Sequence, residues 1–166
     1  MNQRLRAMSI ILGVVILDRI TKIYIRASVS AWDFHPVIPG FFNIIHTENP
    51  GAAFGMLSES MVPWRRIFLL AVSIAVMAII AWILWRPGRA GMGESVLLQT
   101  GFALVLGGAL GNFIDRASRG TVTDFLQFFF GSYEFPSFNV ADSAITIGAA
   151  LLILDLLRSK KTSDVR

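Results

Sequence analysis

Cysteine is missing from all 166 residues. Its absence excludes a disulfide framework, a thiolate nucleophile and a thiolate metal site. Charge is scarce too: Asp, Glu, Lys and Arg make up 16% of the chain, against about a quarter in soluble domains. Histidine is limited to His35 and His46. Together with Glu48 in "HTE" they fall short of the three or four ligands of a zinc centre, so no metal is expected. The net charge of +4 is small and its basic residues are not clustered, which argues against a nucleic-acid partner.

What is abundant is apolar. Hydrophobic residues make up 54% and the mean hydropathy is +0.62. A membrane-spanning helix takes roughly 20 such residues in a row. Three runs qualify readily: 67–85, "IFLLAVSIAVMAIIAWILW", which has no charge; 96–113, "VLLQTGFALVLGGALGNF"; and 140–157. A fourth, 5–25, is interrupted: "AMSIILGVVIL" is uncharged, and "DRITK" follows. Arg4 and Arg6 before a short apolar core, with "VSA" further on, also resemble a cleavable signal peptide. Asp18, Arg19, Lys22 and Arg26 make that cleavage region too long, so an uncleaved first span is expected.

Four spans put both termini on one side. Eight basic residues share that side (Arg4, Arg6, Arg86, Arg89, Arg158, Lys160, Lys161, Arg166), against seven opposite. Arg19, Lys22 and Arg116, in polar clusters, are discounted from the seven, which places both termini in the cytoplasm. Segments 27–65 and 114–139 then face outward. The first has Pro and Gly between short apolar runs, the pattern of turns and short strands. The second, with "FLQFFFGSYEF", suits the membrane interface. The expected fold class is an all-α polytopic membrane protein with four transmembrane helices, a small β-rich outer loop and an interfacial outer segment. No repeat or low-complexity segment divides it.

Ionisable residues inside spans are functional candidates, and here they converge on the outer ends. Asp18 and Lys22, at i and i+4, share a helix face. Asn112, Asp115 and Arg116 close the third span, Asn139 and Asp142 open the fourth, and Asn49 lies in the first outer loop, before "GAAFG". Structural readings stand beside these. Asp18 and Lys22 form a local ion pair; Asn139 is an N-cap with Asp142 at N3; Asp115 pairs with Arg116; Gly107 and Gly111 allow close helix packing.

Asp124, in "TVTDFLQFFF", has the weakest structural explanation, since no basic residue lies within four positions. Buried beside Asp142, it could not ionise cheaply with its neighbour, and the two would share one proton as in an aspartic protease. A serine activated by Lys22, from Ser58, Ser60 or Ser143, is the competing catalytic arrangement. A small transporter or proton relay using the same acids, and a structural assembly partner, are the non-protease classes.

The motifs "DRITK", "NPGAAFG", "GGALGNFIDR", "VTDF" and "FNVADSAITIG" occur in register over 16–151. In them the chain resembles the bacterial lipoprotein signal peptidases, or signal peptidases II. The resemblance implies a four-span intramembrane aspartic endopeptidase, a single membrane-embedded domain over 1–166. It would remove the signal peptide of diacylglyceryl-modified prolipoproteins just before the lipidated cysteine. Carried over by motif, Asp124 and Asp142 are the catalytic pair, and Asn49, Asn112, Arg116, Asn139, Asp18 and Lys22 are substrate-binding. The resemblance implies no cofactor and no metal, sensitivity to the cyclic peptide globomycin, and a place in the bacterial inner membrane among lipids. The active site would face outward, and the protein is expected to act as a monomer.

Overall fold

The apolar runs are helices in the computed structural model, which describes residues 2–31, 33–51, 63–85 and 95–163. They are α1 (Gln3–Ser28), α2 (Pro63–Trp85), α3 (Val96–Arg119) and α4 (Val140–Ser163). Asn2 starts α1 by accepting from the Arg4 N–H at 3.1 Å, and Ser95 starts α3 by accepting from the Leu98 N–H at 3.2 Å. Each satisfies one amide that a helix start leaves open. Among the described residues, 3 helices are long and apolar enough to cross a membrane, over Arg66–Trp85, Val96–Arg119 and Val140–Arg158. α1 is long enough at 26 residues, but its C-terminal half carries Asp18, Arg19, Lys22 and Arg26.

The charges in the C-terminal half of α1 turn inward. Ala7, Asp18, Lys22 and Ile25 are buried, while Leu5, Met8, Leu12, Ile16, Ile20 and Ile23 are exposed. Both sets recur at helical spacing. The helix is therefore apolar outside and polar inside, the reverse of a helix solvated by water. α2 has only 6% of its apolar span buried.

α3 is the central helix, and small residues bring its neighbours close. A Cβ on Gly108 would lie 2.3 Å from the Ala141 carbonyl oxygen of α4, and one on Gly111 would lie 2.7 Å from Asp18 Oδ2 of α1. The spacing that leaves room for close packing thus serves α1 through Gly107 and Gly111 and α4 through Gly101 and Gly108. α1 and α3 run parallel, with Arg6 bonded to Gln99 at 2.5 Å at one end and Lys22 to Asn112 at 3.0 Å near the other.

The chain is mostly helical with a small β-rich part, as expected, but the sheet extends beyond the first loop. Strands β1 (Phe34–Ile38), β2 (Phe42–Asn49), β3 (Val122–Phe130) and β4 (Tyr133–Phe138) form one antiparallel sheet in that order. The outer segment expected to lie in the interface is thus a hairpin, completing a sheet begun by the first loop. Proline sits in each edge strand, Pro36 in β1 and Pro136 in β4, where its missing N–H does least harm. Phe42, Phe128 and Phe138 stack across three strands, with centroids 4.6 and 5.8 Å apart. Ile25 and Val29 of α1 pack with Phe125 and fix the sheet to the helix ends.

α3 also runs past its expected end at 113 to Arg119, so the outer segment begins only at Gly120. The polar stretch "IDRASR" reads as loop, yet Asp115 in it is buried against the charges of α1. Gly120 takes φ 85° and ends the helix, a conformation in which other residues are strained. α4 likewise continues beyond 157, to Ser163.

Candidate active site

The turn at Gly120 delivers the chain into β3, where Thr123 pairs with Glu48 and Val122 with Asn49 of β2. Asn49 and Asp124 therefore share one face of the sheet, because Asp124 is two residues beyond Val122. Asn49 Nδ2 donates to Asp124 Oδ2 at 3.0 Å. At the other end of the hairpin Asn139 caps α4. The Asp142 N–H donates to Asn139 Oδ1 at 2.9 Å, and the Asn139 N–H donates to Asp142 Oδ2 at 3.3 Å. This is the expected capping arrangement, and it also has a second function. Asn139 Nδ2 donates to Asp124 Oδ1 at 2.7 Å, so one residue joins both carboxylates.

From α3, Asn112 Nδ2 donates to Asp142 Oδ1 at 2.8 Å. Asn112 Oδ1 accepts from Lys22 Nζ at 3.0 Å and from Asn139 Nδ2 at 3.2 Å. Lys22 Nζ also meets Asp18 Oδ2 at 2.9 Å and Asp115 Oδ2 at 3.0 Å, with all three side chains fully buried. Asp115 is further paired with Arg19 and, at 3.8 Å, with Arg26. Asp18 Oδ1 accepts from the Ala141 N–H at 3.0 Å, capping α4 from a neighbouring helix.

Three asparagines thus follow one rule. The oxygen of each faces a group that can only donate: the Gly51 N–H at 2.8 Å for Asn49, the Asp142 N–H for Asn139, and the Lys22 ammonium for Asn112. The amide nitrogen of each must then point the other way. In every case it meets an aspartate, Asp124 twice and Asp142 once.

Asp124 is 2% exposed. Burial pushes its pKa up to about 6; the Asn49 amide opposes this, the charge of Asp142 adds to it, and Asn139 and Lys22 oppose it. Arg116 is half-buried, its Nε has no hydrogen-bond partner, and its charge acts on Asp142, Asp124 and Asp115.

The structure brings Asp124, Asp142, Asn49, Asn112, Asn139, Asp18 and Lys22 into one connected network. Arg116 is near but not bonded into it, and the expected pairing of Asp115 with Arg116 is replaced by Asp115 with Lys22 and Arg19. Arg19, Lys22 and Arg26 were the missed signal: their i, i+3, i+7 spacing puts three cations on one helix face. The Ser143 hydroxyl donates to the Asn139 carbonyl at 3.0 Å, while the Lys22 ammonium donates to Asn112 and is ion-paired with Asp18 and Asp115. No serine–lysine arrangement forms between them; Ser58, Ser60 and "AAFG" lie outside the described residues. His46 Nδ1–H donates to the Val29 carbonyl at 2.9 Å and Nε2 faces Glu48 at 3.1 Å. Both ring nitrogens are occupied, and the described residues contain no group of three or more His, Cys, Asp or Glu able to hold a metal.

Helices with apolar outer faces, around a buried carboxylate cluster at their sheet-bearing end, define a membrane enzyme. Two solved bacterial membrane enzymes share the fold. One, determined in meso at 2.3 Å, superposes with a TM-score of 0.81 at 34% identity, over 95% of this chain and 90% of its own. The other, at 1.9 Å, gives 0.78 at 36% identity over 92% of both. The family model for signal peptidase (SPase) II matches residues 10–158, so the chain belongs to the signal peptidase II family. The lipoprotein signal peptidase of Solibacter usitatus is 46% identical over 87% of this chain and 86% of its own. That of Maridesulfovibrio salexigens is 40% identical over 96% and 100%. The protein is accordingly a membrane peptidase of lipoprotein processing.

Proposed function

We propose that the protein is an intramembrane aspartic endopeptidase, a single domain over 1–166, that cuts diacylglyceryl-modified prolipoproteins just before the lipidated cysteine. The observation that carries this reading is Asn139. It donates to Asp124 at 2.7 Å while forming the α4 cap with Asp142, which supports two carboxylates acting on one peptide bond. The positive end of the α4 dipole favours charge on Asp142. Asp142 takes a proton from water as its oxygen attacks the scissile carbonyl, and Asp124, whose pKa is about 6, gives its proton to the carbonyl oxygen. As the tetrahedral intermediate collapses, Asp142 passes its proton to the leaving amine and Asp124 regains one from a hydroxyl of the diol, which restores the starting pair. The unpaired Nε of Arg116 supports a donor for a substrate carbonyl or lipid ester.

The inward charges and outward apolar residues of α1 favour a fourth span. Both termini would then lie in the cytoplasm, with the sheet and active site at the outer face of the inner membrane, where the protein works as a monomer. The test mixes the purified protein in detergent with a lipidated prolipoprotein and with its unlipidated form. A product beginning at the lipidated cysteine, with the unlipidated form intact, is expected. Proton or solute flux without cleavage would replace this reading with a relay.

A further inference from the structure

We infer that Lys22 is a positioning residue of the reaction, locking the Asn112 amide so that its Nδ2 is held on the Asp142 carboxylate. The inference rests on reading Asp124 and Asp142 as the reacting pair. A free asparagine amide can turn over at little cost, so its environment has to choose the orientation. Turned the other way, Asn112 would set its nitrogen against the Lys22 ammonium and the Asn139 nitrogen, and its oxygen against Asp142. Asn139 cannot adapt, because its own oxygen is held by the Asp142 N–H at 2.9 Å.

Lys22 is well placed to impose this choice. Its ammonium donates to Asn112 Oδ1 at 3.0 Å and is ion-paired with Asp18 and Asp115 at 2.9 and 3.0 Å. These three residues enclose it, and the side chain is 0% exposed, out of a substrate's reach. That burial argues against the substrate contact implied by the family resemblance. Lys22 instead stands behind Asn112, which stands behind Asp142.

Steady-state cleavage of lipidated prolipoprotein by Lys22→Met and Lys22→Gln tests this. Lys22→Met should lower kcat by about tenfold to a hundredfold, the usual range for supporting partners, with KM within about twofold of wild type. Lys22→Gln should recover part of the lost kcat, since its amide can still donate to Asn112 Oδ1. A raised KM at unchanged kcat would make Lys22 a substrate contact. Equal losses in the two variants would reduce it to charge balance, and wild-type kcat in both would remove any role. Each of these results overturns the inference. If Lys22→Met does not fold, Asn112→Asp decides. It keeps the acceptor toward Lys22 and sets a second carboxylate against Asp142. The charged groups around that contact are Asp18 and Lys22 on α1, Asp115 and Arg116 on α3, Asp124 on β3 and Asp142 on α4. Cleavage should vanish at neutral pH and return at lower pH, when one of the facing carboxyls gains a proton. Unchanged cleavage at neutral pH overturns the inference. Wild-type cleavage by Asp142→Asn is a separate result: it sinks the two-aspartate reading itself.

Discussion

Two pairs of carboxylates lie within this network, and each pair is joined through one residue. Between Asp18 and Asp115 the link is the Lys22 ammonium, at 2.9 and 3.0 Å. Between Asp124 and Asp142 the link is Asn139, which donates its amide to one and caps the helix with the other. The ammonium sets a full opposite charge against its buried pair. The amide supplies only a hydrogen bond, so the charge of Asp142 still acts on Asp124, and in the proposed function a shared proton relieves it. Burial is common to Asp18, Asp115 and Asp124. In the proposed function, what separates the structural pair from the reactive one is the charge of the group between them.

The largest expected effect breaks this comparison directly, by the same substitution in both places. Asp124→Asn and Asp142→Asn should each lower cleavage by at least about 10³-fold, with the double variant little worse than either, as for groups that act as a unit. Both should fold. Asp18→Asn should do the reverse. It turns an amide N–H toward the Lys22 ammonium and breaks a fully buried pair, for a stability loss of about 3–5 kcal/mol, while the molecules that do fold keep most of their cleavage. Denaturation in detergent alongside the cleavage assay measures both. An Asp18→Asn variant that is stable and inactive would erase the distinction between the pairs.

This distinction was only partly legible in the sequence. Asp18 with Lys22, and Asn139 with Asp142, could be paired because helical spacing and capping are local rules. Lys22 with Asp115 could not, since the partners are 93 residues apart and meet only because Gly107 and Gly111 let α3 approach α1. The sheet was hidden for a similar reason. β2 and β3 are neighbours in space but have α2 and α3 between them in the chain, so neither strand run announces its partner. The uncharged spans were readable because hydropathy is a property of the run itself. The orientation of the three asparagine amides belongs to the assembled network alone.

The second prediction sharpens the comparison through pH. The folded-state pKa of Asp124, about 6, lies above its ordinary value of 3.8. Its contribution to stability is therefore full below pH ~4 and is lost as pH rises through about 6. The shift corresponds to about 3 kcal/mol. Stability measured from pH 4 to 8 should fall by up to that amount in wild type, and the fall should be absent in Asp124→Asn. The same ionisation removes the shared proton, so kcat/KM should decline above about pH 6. A stability profile that is the same with and without Asp124 would mean that its carboxyl is no more strained than those around Lys22.

The smallest effect concerns how Asp124 is held. Everything in the ammonium-centred pair lies on α1 and α3, whereas Asp124 lies beyond the turn at Gly120. Either the turn or the sheet could set its position. A Cβ on Gly120 would meet nothing nearer than Arg66 Nη1 at 3.6 Å, an ordinary contact, so the cost of Gly120→Ala is the strain of φ 85° alone. That cost is about 1 kcal/mol. The sheet, by contrast, holds Asp124 through the pairings of Thr123 with Glu48 and Val122 with Asn49, and through the Asn49 and Asn139 amides. If these fix the carboxylate, Gly120→Ala should lower the Tm by a few degrees and leave kcat unchanged. A fall in kcat at that modest loss of stability would show that the turn, not the strand pairing, aims Asp124 at Asp142.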